Sequence, residues 1–528
     1  MGPKVYSLKS REFLEQNGAL TFVIITFLIF LLRFLYERHQ DQKLPPGPPR
    51  LPFIGNLLQF PIKNQWLTFD KWSKQYGPIV SLNVVGSIFI LISDPEIASR
   101  VLEKRSSSDR PRMVMFQDNV GRGMYNAYGN YHEGYRLHQR MQGPVLSGRA
   151  AQTYHCVQDL ETKQTLFDLL SSNDYKKIYT RYNASVIFSL VYGKRIITGE
   201  EAELKEWLQR HDNFTMITSS PWLVALFPFL NSVIPTSLAP WKKTGNAMSS
   251  FEAWVLRKHM NMGLQSPSWN WAKEFAGSVE GRKVTPLQVA YDLGLLIDAG
   301  LETTSSIMEV FTLAAIIAPD AMRKAQEELD RVVGQDRLPL FKDRDDLPYM
   351  SAVVEETQRW RIISPLMFPH GMMEDDTYMG YTIPKGATVF PLGYTMSLDE
   401  QRFDKPLEFR PERWLEKVKN GRFTNFFGYG RRACPGQAIG RNSLFIIFSR
   451  ILWAYNIKKA SNKPINDRAF SSGFISIPQP FDVVFEPRSA HHRKMIEKEW
   501  MGVEKDIDVL MSQIKEHQVS LGRDRGAL

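Results

Sequence analysis

The chain has 528 residues, 43% of them hydrophobic and 12% aromatic, which is ample for a large core. Its net charge is +10, but Lys and Arg are spread along the chain with no run of five, which disfavours a nucleic-acid-binding tail. Two cysteines, Cys156 and Cys434, exclude a disulfide framework and suit a body in a reducing compartment.

Residues 19–32 are apolar apart from two threonines, and Phe34, Leu35 and Tyr36 extend the stretch past Arg33. About 18 residues is near the lower limit for a helix that spans a bilayer. A cleaved signal peptide is the rival reading, but no small-residue cleavage site follows; the next residues include Glu37, Arg38, Asp41 and Lys43. The expectation is an uncleaved anchor at 19–36 after a flank at 1–18. Four prolines among Leu44, Pro45, Pro46, Gly47, Pro48 and Pro49 predict a stiff extended stalk over 37–50.

Two apolar runs, 80–84 and 88–92, flank Gly86 and Ser87 and predict a β-hairpin. Residues 381–383 and 388–391, around Pro384, Lys385 and Gly386, predict another. Cys156 lies in a helix-like stretch and reads as a buried, inert thiol. Segment 219–241 crowds Trp222, Leu223, Val224, Leu226, Phe227 and Phe229 between prolines. It is too short to span a bilayer, and it reads either as a buried helix or as a loop dipping into a membrane face.

Most of the remainder looks helical. One helix is predicted from Thr285, with Pro286 in its first position and Gln288 completing a capping box. No proline follows until Pro319, which allows about 33 residues, or about 50 Å. Its middle reads Ala299-Gly300-Leu301-Glu302-Thr303-Thr304, poor helix formers in a place where a local rule is broken for a reason. After 488 the chain turns polar, and Ile496, Trp500, Val503, Ile507, Leu510 and Ile514 form an amphipathic stripe in a tail at 489–528, docked on the body.

Cys434 sits in Phe427-Gly-Tyr-Gly-Arg-Arg-Ala-Cys434-Pro-Gly436. A cysteine that works as a thiolate needs a lowered pKa. Pro435, read as the first residue of a following helix, would put the sulfur at a positive helix end beside Arg432. Gly428, Gly430 and Gly436 would let backbone N–H groups approach it, and Phe427 would shield it. A zinc site would need three or four clustered Cys or His ligands, and none cluster here. A nucleophilic cysteine served by a distant His stays open.

These residues resemble the cytochrome P-450 monooxygenases. The family pattern F-x-x-G-x-R-x-C-x-G is matched at Phe427, Gly430, Arg432, Cys434 and Gly436. Three further matches fall in the family's order: Ala299 to Thr304 resembles the oxygen-activation motif, Glu356-Thr-Gln-Arg359 the E-x-x-R pair, and Phe409 to Trp414 the segment that locks it through Arg413. The resemblance runs from about residue 45 to 488. The anchor and proline stalk are similar to the microsomal, reductase-dependent class, and the motif wording to fungal enzymes of secondary metabolism.

The resemblance implies a mainly α fold with small β-sheets, a single large haem domain at 51–488 preceded by a transmembrane helix. It implies haem b with Cys434 as axial thiolate, and a structural network of Glu356, Arg359 and Arg413. Arg432 and His370 would meet the haem propionates. The family often shows W-x-x-x-R on an earlier helix; here Tyr135 stands for Trp and Gln139 for Arg, so Arg136 and Arg140 are the candidate substitutes. Thr303 and Glu302 would deliver protons. Thr304, about 100° further round the helix, is expected to face elsewhere. Gly300 would let the helix open.

The implied partners are O2, an NADPH-cytochrome P-450 reductase, a membrane and an apolar small-molecule substrate; no nucleic acid is expected. Substrate contacts would come from 106–130, 219–241, 363–367 and 470–475. The implied location is the endoplasmic reticulum membrane, single-pass, with the catalytic domain in the cytosol. There the sequons at Asn183 and Asn213 would be accidental. Two alternatives remain: a reductase-independent haem-thiolate isomerase or dehydratase, against which Thr303 argues, and a non-catalytic haem-binding protein, against which the complete central-helix motif argues.

Overall fold

The structure is a computed structural model that describes residues 22, 24–25, 43–219, 223–415, 426–462 and 464–522. Apart from Phe22, Ile24 and Ile25, which are helical, the expected anchor lies outside the described residues, as do 37–42 of the stalk. The rest is mainly helical with three small sheets, as a haem monooxygenase of the resembled family requires. Pro46 accepts a hydrogen bond from Ser81 N–H at 2.9 Å, and Lys43 accepts one from Thr382 N–H at 2.7 Å. The proline segment is thus strapped to the body and does not stand off as a free stalk.

Strands β1 (Ile79–Val84), β2 (Ser87–Ile92), β3 (His370–Gly371), β4 (Asp376–Tyr378), β5 (Tyr381–Ile383), β6 (Thr388–Pro391), β7 (Tyr455–Lys459) and β8 (Val483–Pro487) make those sheets. The largest has the order β1-β2-β6-β3. The first hairpin forms as expected, but Val84 pairs with Ser87, so the turn is Val85-Gly86, at φ 51° and 86°. The second predicted hairpin does not form. β5 pairs with β4 across a turn at Met379 and Gly380, both at positive φ. β6 lies between β2 and β3, where three of its four residues are buried.

The long helix runs Pro286–Ile317. Gln288 N–H donates to Thr285 Oγ1 at 3.2 Å and Thr285 N–H to Gln288 Oε1 at 2.9 Å, the expected capping box. Among the described residues it is the one helix long and apolar enough to cross a membrane, yet it is mostly buried inside the protein. It packs along the Tyr175–Tyr192 helix, and Phe311 stacks on Phe448 of the Gln437–Ala454 helix at 3.9 Å. The core is built around these three helices.

Segment 219–241 is neither one buried helix nor wholly exposed. Its described part is a chain of short turns, Leu223–Leu226, Leu230–Val233 and Thr236–Leu238. Val224 is buried, while Phe229, Val233 and Leu238 face outward. The tail forms two helices, Ala490–Gly502 and Ile507–Ser520. Ile496, Leu510 and Ile514 are buried, and Trp500 stacks on Phe167 at 5.7 Å.

Glu356 and Arg359 lie on the Pro348–Trp360 helix, fully buried. Glu356 accepts two bonds from Arg359 (2.8 Å each), and one each from Arg413 Nε (3.1 Å), Arg410 N–H (2.8 Å) and Trp414 Nε1 (2.9 Å). Arg359 also donates to the carbonyls of Ser397 and Pro406. Removing one member of such a pair strands a charge in a dry place, at about 3–5 kcal/mol. Glu356→Ala and Arg359→Ala are each expected to abolish soluble, folded protein. Soluble yield and thermal unfolding check this, and a wild-type melting point in either variant would contradict it.

Candidate active site

A cavity of about 660 Å3 brings together the Cys434 loop, the middle of the long helix, and the basic side chains Arg110, His370 and Arg432. A water molecule occupies about 30 Å3, so this is room for ligands and not a packing void. Much of its wall is apolar, with Phe116, Ile187, Leu295, Ile363 and Phe474 among the lining residues. The expected substrate segments 106–130, 363–367 and 470–475 contribute to it. Of 219–241, no residue lines it among the described ones.

The cysteine loop folds back on itself. Cys434 N–H donates to the Phe427 carbonyl at 2.7 Å, and Gly428 and Gly430 take positive φ of 84° and 55° between them. A Cβ on Gly430 would come within 2.6 Å of the Leu102 carbonyl, so glycine is needed for conformation and for close approach. The following helix starts at Gln437 with Gly436 as its cap, two residues later than the sequence suggests. Burial pushes the Cys434 thiol up, and the Gly436 N–H works against this. Arg432 is not among the groups acting on the thiol. Phe427 lines the cavity, and Arg441 sits 4.7 Å from its ring centre. Cys156 lies elsewhere, its thiol raised to about 11 by burial.

Arg432 is buried and reaches the other way. It donates to the carbonyls of Ser108 (2.6 Å), Ala127 (3.4 Å) and Gly129 (2.6 Å), with Tyr135 3.8 Å below its guanidinium. Arg110 joins it, donating to the same Ala127 carbonyl at 3.2 Å and to Pro369 at 2.7 Å. Burial lowers Arg110 to about 9, with repulsion from Arg432 adding to the effect. His370 Nδ1 bonds the Ser107 carbonyl at 2.7 Å, and burial, Arg110 and Arg432 lower it to about 3. Among the described residues neither arginine is ion-paired with a carboxylate. Two buried cations oriented by carbonyl oxygens make a cradle suited to an anionic group.

Arg136 and Arg140 are not part of this cradle. Both pair with Glu133 on the outer face of the Glu133–Leu146 helix, about half-exposed, and neither lines the cavity. The helix periodicity explains this: Tyr135 and His138 take the inward face. Arg110 went unnoticed because an arginine before Pro111 in an irregular loop carries no periodic signal.

On the long helix, Glu302, Thr303 and Thr304 all line the cavity. Thr304 therefore does not face elsewhere. Thr303 Oγ1 donates to the Ala299 carbonyl at 2.7 Å. The helix is continuous through Gly300, whose hydrogen faces Ile187; a Cβ there would meet that side chain at 3.1 Å. Gly300 thus allows two helices to pack closely, and the helix does not open. Glu302 has His211 Nε2 at 3.5 Å. Burial raises the Glu302 pKa, His211 opposes this, and Asp298 adds to it. One turn back, Asp298 accepts from Trp207 Nε1 (2.5 Å) and Arg210 (3.2 Å), and Arg210 in turn holds Glu252 at 2.8 Å. Nothing in the sequence marked His211, Arg210 or Asp298, because their meeting depends on how the Ala202–Ser219 helix crosses the long one.

The cytochrome P450 family model matches residues 45–485. Cytochrome P450 monooxygenase aneD of Aspergillus aculeatus is 38% identical over 485 residues, covering 89% of this chain and 93% of its own. Cytochrome P450 monooxygenase peniB of Penicillium patulum is 38% identical over 504 residues, covering 93% of each. Fumitremorgin C synthase of Neosartorya fischeri is 34% identical, covering 92% of this chain and 97% of its own. A solved zebrafish cytochrome P450 with abiraterone superposes with TM-score 0.67 at 25% identity, over 80% of this chain and all of that one. The chain belongs to the cytochrome P450 family and is a haem-thiolate monooxygenase. The cavity's residues fit that group: a thiol opens onto it, and the cradle of Arg110, Arg432 and His370 suits propionates.

The cradle makes a prediction that separates inner from outer cations. A hydrogen bond to a charged group contributes about 1.5–3 kcal/mol, so Arg110→Leu should weaken haem retention about tenfold or more. Arg136→Ala and Arg140→Ala should leave it unchanged. The haem-to-protein ratio after gel filtration reads the difference.

Proposed function

We propose that the protein oxidises an apolar small molecule in fungal secondary metabolism, taking electrons from an NADPH-dependent reductase. Cys434 would be the axial thiolate of haem b. The observation that carries this reading is one cavity shared by the Cys434 thiol, the cationic cradle, and the Glu302 and Thr303 side chains. The haem supplies O2 activation when bound, and its thiolate donates electron density that favours O–O cleavage. Bound to iron, the Cys434 sulfur would be held as a thiolate against the upward push of burial.

The protein's own residues do the rest. Phe427 and Gly436 shape the sulfur's surroundings, and the Gly436 N–H tempers its charge. Arg110, Arg432 and His370 hold the propionate edge. The Thr303 hydroxyl, fixed by Ala299, presents its oxygen to the cavity, and Glu302 with His211 holds a titratable proton beside it. The apolar walls orient substrate and exclude bulk water. Arg431, exposed, and Arg441, half-exposed and paired with Glu355 at 2.7 Å, lie beside the cysteine loop and suit contact with an acidic reductase face. Arg432, buried in the cradle, does not belong to that face.

The apolar stretch at 19–36 supports a single-pass anchor in the endoplasmic reticulum membrane with the body in the cytosol. The exposed Phe229, Val233 and Leu238 suit contact with the same lipid surface. The presence of Thr303 and Glu302 together favours O2 chemistry over peroxide rearrangement, which needs no proton delivery.

Cys434→Ser should lose the thiolate absorption signature of the reduced, carbon monoxide-bound protein, while Cys156→Ser keeps it. Equal effects from both would refute the ligand assignment. Thr303→Ala should retain haem and NADPH oxidation but lose product and release hydrogen peroxide. The ratio of product to NADPH consumed, with peroxide assayed in the same vessel, reads this. Thr304→Ala serves as the comparison, since its side chain also reaches the cavity; a loss confined to that variant would move the role to Thr304.

A further inference from the structure

Asp292 is a buried carboxylate that the mechanism above does not use. It lies on the long helix, two turns before Gly300, and is 1% exposed. Its oxygens accept from Asn126 Nδ2 at 3.1 Å and Gln142 Nε2 at 3.3 Å, and pair with His138 Nδ1. Burial pushes its pKa up, and these three partners oppose that.

The partners share a destination. Asn126 begins the short turn Asn126–Tyr128, and the next carbonyls, Ala127 and Gly129, are those that receive the guanidinium N–H groups of Arg110 and Arg432. His138 and Gln142 lie on the helix whose Tyr135 stacks under Arg432. Two of the structures that aim the cations are thus tied to one carboxylate on a third, rigid element, while the Ser108 and Pro369 carbonyls hold Arg432 and Arg110 from other segments. If the 126–129 carbonyls moved, each guanidinium would keep one carbonyl, Pro369 for Arg110 and Ser108 for Arg432, and could pivot about it.

We propose that Asp292 is a positioning residue for the cofactor's anionic edge: by pinning the 126–129 turn through Asn126, and the neighbouring helix through His138 and Gln142, it fixes the direction of Arg110 and Arg432. The inference rests on the reading of those arginines as propionate partners. Asp292 touches no cofactor atom in this scheme; it acts through the loop.

The test is haem loss to excess apomyoglobin, measured for protein carrying protohaem and for protein carrying its dimethyl ester, whose propionates are uncharged. Asp292→Asn places an amide donor opposite the donors of Asn126 and Gln142. Asn126→Ala removes the pin alone and leaves the His138–Asp292 pair, so it decides the matter should Asp292→Asn fail to fold. Each variant should speed protohaem loss about tenfold, the worth of one charge-assisted hydrogen bond, and leave the ester's rate near that of wild type. Equal acceleration of both haems would mean a general structural role and overturn the proposal, as would no acceleration of either. Arg110→Leu run alongside separates the two readings: if it too fails to distinguish protohaem from the ester, the cradle itself is misread.

Discussion

A buried carboxylate can be held in a fold only if donors surround it, and Glu356 meets that condition with five. Two come from Arg359 on its own helix, and three from the segment 410–414. The node therefore joins a helix of the core to an irregular stretch that has little regular structure to hold it. Trp414 then contacts Phe426 ring to ring at 6.4 Å, next to the start of the cysteine loop. Desolvation makes the node costly to break and its geometry hard to vary. It contributes no chemistry, yet through Trp414 it touches the residue that precedes the cysteine loop.

Charge bookkeeping elsewhere in the interior shows why the cradle stands out. Arg181 and Arg195 share Glu161, Arg450 holds Asp159, and Arg210 holds Glu252 and Asp298. In each case a buried guanidinium has a carboxylate against it. Arg110 and Arg432 have carbonyl dipoles and aromatic faces instead. Carbonyl oxygens orient a guanidinium without neutralising it, so on the proposed reading the pair suits an anionic cofactor edge.

The sequence was most legible where local rules and motif spacing coincide. Thr285, Pro286 and Gln288 marked the start of the long helix because capping chemistry is local, and Pro319 marked its end. Glu356 and Arg359 were legible as a pair because three residues of helix bring them to one face. The errors have a common cause. Arg136 and Arg140 were placed by motif analogy, while helical phase turned them to Glu133. Gly300 was read as a point of opening because glycine is a weak helix former, but the deciding fact is the distance to Ile187 on another helix. The pairing of β5 with β4 was hidden because strand partners are a tertiary choice, and Met379 is an unlikely residue for positive φ. Arg110, Asp292 and His211 share a further difficulty: each matters through a neighbour more than 80 residues away.

The same distance in sequence governs proton handling on the long helix. Glu302 and Asp298 are one turn apart, and burial raises the pKa of both; Asp298 adds to the effect on Glu302, and Glu252 adds to that on Asp298. Asp298 is answered by Arg210 and Trp207, which hold it firmly. Glu302 is answered by His211 at a longer 3.5 Å, with both side chains about a third open. The two acids are therefore not equivalent. Asp298 is held on both oxygens by Arg210 and Trp207 at the cavity wall. Glu302, raised by burial and met by His211 at 3.5 Å, is the less tightly held of the two, which suits it to general acid and base chemistry. On the proposed reading this division keeps the Asp298 wall rigid while the carboxyl beside Thr303 gains and loses its proton.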